Sequence, residues 1–169
     1  MVVFKKIWRK ISIFLVNHLF SGTRPCFFEL KRKLLNSIDS FSIGEGSKVV
    51  GPVYVQGSLC VGANCWIGKN LRINGNGTVV IGDNCDVAPE VTFQTGSHKI
   101  GGYKRRAGEG INCHQSVGAG TWIGVRTTIV NNVTIGAGCV VAACACVVSD
   151  APDNSLLGGV PAKIIRMLD

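Results

Sequence analysis

Three histidines, His18, His98 and His114, are the side chains of this 169-residue chain whose ordinary titration lies nearest neutrality. An imidazole does chemistry when it is held rigidly and still reaches a cleft. His18 lies in an apolar, basic stretch and reads as a structural or exposed residue. His114 reads as a rim residue. His98 stands apart. It closes the stretch Phe93-Gln94-Thr95-Gly96-Ser97-His98 and opens an irregular, glycine-rich, basic run that ends at Gly110. That run interrupts a regular pattern on both of its sides. A histidine at the base of an excursion from a rigid wall suits a general base. Ser97, Arg105 and Arg106 offer a hydroxyl and two cations close to it. Asp83, Asp86 and Glu90 are the acids that could orient its ring.

The eight cysteines do not have metal-ligand spacing: Cys144 and Cys146 are separated by one residue, and no paired histidine motif accompanies them. Cys65, Cys85 and Cys139 fall on a repeat position that favours small apolar side chains. They read as reduced core thiols of a cytoplasmic protein. No metal is expected.

The pattern that His98 interrupts is a ladder of six-residue steps. Ile43, Val49, Val55, Val61, Ile67 and Ile73 follow one another without a miss. The register slips by two residues within 74–78 and restarts at Ile81, Val87 and Phe93. It resumes after the interruption with Val117, Ile123, Ile129, Ile135, Val141 and Val147, giving fifteen rungs. A glycine commonly follows the aliphatic residue, and a small or apolar residue comes four positions after it. Each hexad supplies a short strand and a corner, three hexads close a triangular coil, and residues eighteen apart stack as parallel strands ~4.8 Å apart. The expected fold is an all-β solenoid, a parallel β-helix of about five coils over 41–152, with the loop 96–110 inserted at a corner.

The ends differ from the ladder. Residues 1–35 carry a net charge of +7, while the rest of the chain carries +1. A nearly neutral body does not point to nucleic acid. The basic, apolar segment 1–40 predicts a helix over 7–20, a break at Ser21-Gly22-Thr23-Arg24-Pro25, and a second helix over 27–38. Its apolar run is too short for a bilayer span of ~20 residues. These helices either pack on the scaffold or a neighbouring subunit, or touch a membrane surface through residues 1–35. The tail 153–169 is expected to end in a short helix over 161–168.

The ladder resembles the hexapeptide-repeat acyltransferase family, whose coils form a left-handed parallel β-helix. The segments Ile81-Gly82-Asp83-Asn84-Cys85, Thr95-Gly96-Ser97-His98, Thr121-Trp122-Ile123-Gly124 and Gly159-Val160-Pro161-Ala162-Lys163-Ile164-Ile165-Arg166 look like the maltose, galactoside and serine acetyltransferase group. Ile100-Gly101 with Arg105-Arg106-Ala107-Gly108 looks closest to its polysaccharide O-acetyltransferases. The match covers 43–169. The resemblance implies acetyl-CoA as co-substrate, a homotrimer with sites between adjacent subunits, and His98 as the base that deprotonates an acceptor hydroxyl in a ternary complex. It places Trp122 beside the cleft, Gly124 and Ala143 along the pantetheine arm, and Lys163 and Arg166 near CoA phosphates. Val148-Ser149 departs from the Thr-Lys of close relatives at a CoA contact, and Ser149 stands at that position. The implied activity is O-acetylation of a sugar hydroxyl in surface-polysaccharide assembly, in the cytoplasm or at the inner face of the membrane. N-acetylation of an amino sugar nucleotide, serine acetylation and a non-enzymatic scaffold are the alternatives. A zinc hydratase on this scaffold needs three ligating histidines, and the ladder region has two.

Overall fold

The computed structural model describes residues 2–169. Its strands follow the hexads. The first coil holds β1 (Phe41–Ile43), β2 (Lys48–Val49) and β3 (Val53–Val55), and the second β4 (Ser58–Val61), β5 (Trp66–Ile67) and β6 (Leu71–Asn74). The third holds β7 (Thr78–Ile81), β8 (Asp86–Val87) and β9 (Thr92–Gln94). The interruption is a hairpin of β10 (Gly96–Ile100) and β11 (Ala107–Asn112). The fourth coil holds β12 (His114–Val117), β13 (Trp122–Ile123) and β14 (Thr128–Val130), and the fifth β15 (Val133–Ile135), β16 (Val140–Val141) and β17 (Cys146–Val147). The chain ends in β18 (Ser155–Gly159) and β19 (Ala162–Met167).

Parallel pairing stacks these strands into three flat faces. Face 1 is β1-β4-β7-β12-β15, face 2 is β2-β5-β8-β13-β16-β18 with β19 added at its end, and face 3 is β3-β6-β9-β14-β17. The rungs fill the core: Ile43, Val61, Ile81, Val117 and Ile135 stack on face 1, and Val55, Ile73, Phe93, Ile129 and Val147 on face 3, all buried. Alternation along each strand sends the intervening side chain outward. A sixth coil begins after the five complete ones: Ala151 bridges Ile135, and β18 continues face 2. The coil count is therefore slightly higher than the rung count suggests.

The corner between faces 1 and 2 explains three of the cysteines. Ser47, Cys65, Cys85, Thr121, Cys139 and Ser155 form one buried column. The Cys65 thiol reaches the Gly82 carbonyl at 3.0 Å, that of Cys85 the Gly118 carbonyl at 3.2 Å, and the Thr121 hydroxyl the Gly136 carbonyl at 2.9 Å. The column favours a small side chain with one donor, so thiol and hydroxyl interchange along it. All eight cysteines are free thiols. Burial pushes the Cys85 thiol up from its ordinary value.

Two helices close the N-terminal end. Helix α1 (Val2–Phe14) runs on into a single π-helical stretch, Leu15–Leu19, and α2 (Pro25–Asn36) starts with Pro25 in its first turn. The first strand of each sheet has an unpaired edge, and side chains cover it. The Asn17 amide both donates to and accepts from the backbone of Val53, and the Asn36 amide does the same at Ile43. Each amide takes the place of a neighbouring strand. Lys31 is fully buried beside them and donates to the carbonyls of Gly22 and Val50. Burial lowers its pKa to about 8.

The C-terminal helix expected over 161–168 is a strand. β19 pairs antiparallel with β18, from Gly159 opposite Ala162 to Ser155 opposite Met167. The unpaired edge of β18 and the β-branched pair Ile164-Ile165 outweigh local helix propensity.

Candidate functional site

The interruption is held at its base by buried, hydrogen-bonded residues. Thr95 is fully buried, and its N–H donates to the Asn74 carbonyl at 2.8 Å. Cys113, buried at the other end, donates its N–H to the Thr95 carbonyl at 2.7 Å. Gln115, also buried, donates to the carbonyls of Gln94, Ile129 and Asn131. The two-residue slip at 74–78 lies directly beneath. It widens the corner Gly75-Asn76-Gly77, and only glycine fits at 75 and 77. A Cβ on Gly75 would lie 2.2 Å from the Gly96 nitrogen, and one on Gly77 would lie 1.9 Å from the Cys113 carbonyl oxygen. So the two irregularities of the ladder form one piece of structure.

From this base the chain rises as an antiparallel hairpin rather than an irregular loop. Ser97 pairs with Ile111 and His98 with Gly110, and the register shifts between His98 and Ile100. The imidazole Nδ1 lies 3.0 Å from the Gly108 carbonyl oxygen. A carbonyl can only accept, so Nδ1 carries the hydrogen and Nε2 of the neutral ring keeps its lone pair. His98 and Ser97 line a cleft of about 530 Å³ with Gln56, Asn74, Gln94 and Asn112. Arg105 and Arg106 sit at the exposed turn of the hairpin, outside that lining, and Arg106 donates to the Gly101 carbonyl.

None of the three candidate acids orients His98. Asp83 accepts from the Ala63 N–H at the corner of faces 1 and 2, Asp86 lies outward on face 2, and Glu90 pairs with Arg126 at 2.7 Å. The orienting group is the Gly108 main chain. A carbonyl on a folded-back strand leaves no residue-type signal. The fold does restrict the residue at 108: a Cβ there would come 2.8 Å from the Lys99 carbonyl oxygen.

A second group of residues gathers on face 2. Trp122 projects outward and is 56 % exposed. In register with it along the outer face lie Asp86 on one side and Val140, Leu156 and Arg166 on the other. Three strand spacings separate Trp122 from Arg166, roughly 14 Å. Lys163 and Arg166 would fall on opposite sides of a regular strand. The register shift at Ile165 brings both to the outer side, opposite Gly158 and Leu156. Ala143 is exposed at the adjoining corner of faces 2 and 3, and its N–H makes no hydrogen bond among the described residues. Gly124 serves the coil: its N–H donates to the Val141 carbonyl, and a Cβ there would lie 2.6 Å from the Ala143 nitrogen. Ser149 and Lys163 share a cleft of about 300 Å³ at the C-terminal end of the coils. His114 is exposed at the start of β12, where its N–H donates to the Asn132 side chain.

The two groups do not meet within one chain. The hairpin leaves the edge between faces 3 and 1, and in a three-sided prism face 2 is opposite that edge. The free Ala143 N–H, the apolar platform of Trp122, Val140 and Leu156, and the cations at its end suit an elongated ligand with amides and phosphates. Among the described residues no three His, Cys, Asp or Glu side chains group as metal ligands.

No family profile matches the chain. It is 32% identical over 152 residues to the galactoside O-acetyltransferase of Escherichia coli K12, covering 89% of this chain and 74% of that protein. Its fold matches a solved galactoside acetyltransferase in complex with coenzyme A, with a TM-score of 0.81 and 30% identity over 98% of this chain and 81% of the other. It also matches the hexapeptide-repeat-containing acetyltransferase VCA0836 of Vibrio cholerae complexed with acetyl-CoA. There the TM-score is 0.83 at 27% identity, over 98% of this chain and 87% of that one.

Proposed function

Because the chain belongs to the hexapeptide-repeat acetyltransferases, enzymes that use acetyl-CoA, we propose that it transfers the acetyl group to a sugar hydroxyl with His98 as general base. The observation that carries this reading is the bond from His98 Nδ1–H to the Gly108 carbonyl. It fixes the tautomer and leaves Nε2 as the acceptor for a hydroxyl proton. Acetyl-CoA supplies a thioester, an activated acyl group with a thiolate leaving group. His98 takes the acceptor proton as the hydroxyl oxygen forms its bond to the acyl carbon. The imidazolium then returns the proton to the sulfur as the C–S bond breaks. No group of the protein is acylated.

The placement of the two residue groups supports a homotrimer. His98 of one subunit would face Trp122, Ala143, Lys163 and Arg166 of the next, so each cleft draws on two chains. Lys104, Arg105 and Arg106 on the exposed hairpin, where Lys99 is already paired with Glu109, favour an anionic glycan as acceptor, in keeping with surface-polysaccharide assembly in the cytoplasm. The test is thiol release from acetyl-CoA with a panel of neutral sugars, uronic-acid glycans, amino sugar nucleotides and serine. Turnover with a hydroxylated glycan is expected. Turnover with serine or an amino sugar nucleotide alone would reject the sugar-hydroxyl assignment.

A further inference from the structure

Helix α1 is built with its polar side inward. Arg9 donates to the carbonyls of Val55 and Gln56 and to the Ser40 hydroxyl. Trp8 donates its indole N–H to Ser37, Lys5 pairs with Asp39, and Ser12 is fully buried. The residues turned away from the coils are apolar: Val3, Phe4, Ile7, Ile11 and Phe14 are 45 to 72 % exposed. Their spacing marks one stripe along the helix. Among the described residues nothing covers it. Arg9 and Trp8 hold the inward face against the coils and α2, so α1 cannot turn the stripe under without breaking those contacts.

What lies beside the stripe identifies its partner. Lys6 and Lys10 flank it, and with Arg9, Phe14 and His18 they line a hollow of about 440 Å³. Residues 2–20 include no Asp or Glu. A basic margin on an apolar stripe complements an anionic lipid surface, where cations meet phosphates and apolar side chains enter the acyl boundary. A second copy of α1 would instead oppose like charges. The helix is not suited to cross the ~30 Å hydrocarbon core, because its 13 residues include Lys5, Lys6, Arg9 and Lys10. No described helix is long and apolar enough to do so.

We propose that α1 docks the protein on an anionic phospholipid bilayer, lying in the interface with Val3, Phe4, Ile7, Ile11 and Phe14 inserted and Lys6 and Lys10 on the headgroups. The docking stands apart from the acetyl-transfer reading. It holds the enzyme at a surface whatever its acceptor.

The test is co-sedimentation of the full chain with phosphatidylcholine vesicles, with and without about 30% phosphatidylglycerol, in ~0.1 M salt. Binding to the anionic vesicles is expected to be at least tenfold tighter than to the neutral ones, and to weaken at ~1 M salt. The double variant I7E/F14E should lose at least tenfold in affinity while keeping its melting temperature and its solution turnover. The variant K6E/K10E should lose the preference for anionic lipid. Absence of binding at millimolar lipid overturns the proposal, as does undiminished binding by I7E/F14E. A change of oligomeric mass in I7E/F14E also overturns it, because the stripe would then belong to a subunit contact.

Discussion

The edge that carries His98 and the face that carries Trp122 are made from the same hexads, yet they handle departures from the pattern in opposite ways. At the edge, the backbone changes. Two residues widen the corner at 74–78, a hairpin of 96–112 is inserted above it, and His98, the proposed base, rides on the new backbone. On face 2 the backbone stays regular up to β18, and only outward side chains differ: tryptophan, valine and leucine stand on an unaltered ladder. A proton-transfer group must be aimed within tenths of an ångström, which calls for its own hydrogen-bonded support. A long, flexible co-substrate needs only a surface in register with its length. In the proposed trimer each cleft draws on both regions, since within one chain the body of the prism lies between them.

The sharpest way to break this division is to remove the base. His98→Ala should lower kcat by ~10²–10⁴-fold. Its KM for acetyl-CoA and its melting temperature should stay near the parent values, since His98 is exposed and lies on the edge opposite face 2. Turnover that persists undiminished would remove His98 from the reaction. A large rise in KM for acetyl-CoA with kcat unchanged would assign His98 to co-substrate binding rather than proton transfer.

A mixing experiment tests the division between chains directly. Ala143→Trp places a bulky ring on the exposed corner of faces 2 and 3 and should abolish turnover by blocking the platform. Each variant alone then has one intact region. In trimers randomly assembled from equal amounts of both, about a quarter of the sites combine an intact hairpin with an intact platform, so roughly a quarter of parental activity should return. No return of activity in verified mixed trimers would place both regions of a site on the same chain.

The two regions also differ in how far the sequence revealed them. The ladder was readable because a buried apolar residue, aliphatic at every rung but Phe93, recurs at every sixth place. The position of the interruption was readable for the same reason, as a failure of that period. Its hairpin form was not, because Gly96–Ile100 and Ala107–Asn112 are mostly exposed and carry no alternation of apolar and polar residues. The partner of His98 was illegible because it is main chain. The C-terminal strand was misread because its pairing partner, the free edge of β18, exists only after the coils have formed. The inward polarity of the N-terminal helical segment was hidden likewise: Arg9 and Asn17 look like surface residues until the strand β3 that they cover is in place.

Glycines separate scaffold from insertion at the next level of effect. On the ladder, a Cβ at Gly118 would lie 2.3 Å from the Ala137 nitrogen of the next coil. Gly118→Ala therefore forces neighbouring coils apart and should cost ~1–3 kcal/mol. At the hairpin turn, a Cβ on Gly102 meets nothing within 4 Å. Gly102→Ala should leave stability within about 0.5 kcal/mol of the parent. Equal losses in chemical denaturation would mean that the hairpin is packed as tightly as the coils.

The smallest effect comes from two tryptophans of one row. Trp66 and Trp122 both project from face 2, each in register with Asp86 between them. Trp66 is covered by Phe28 of α2, edge to face at 5.8 Å, and is 37 % exposed against 56 % for Trp122. The same residue type therefore holds the cap at one position and forms part of the proposed platform at the other. Trp66→Ala should lower stability by at least the ~0.5–1.5 kcal/mol of an aromatic pair, leaving KM for acetyl-CoA unchanged. Trp122→Ala should do the reverse: KM for acetyl-CoA rises severalfold, and stability stays within about 0.5 kcal/mol. Thermal melts and acetyl-CoA titrations on both variants give the comparison, with oligomeric mass as the control. If Trp122→Ala lowers the melting temperature together with the mass, and KM does not move, Trp122 is a subunit contact and the platform must be sought along Val140 and Leu156 without it.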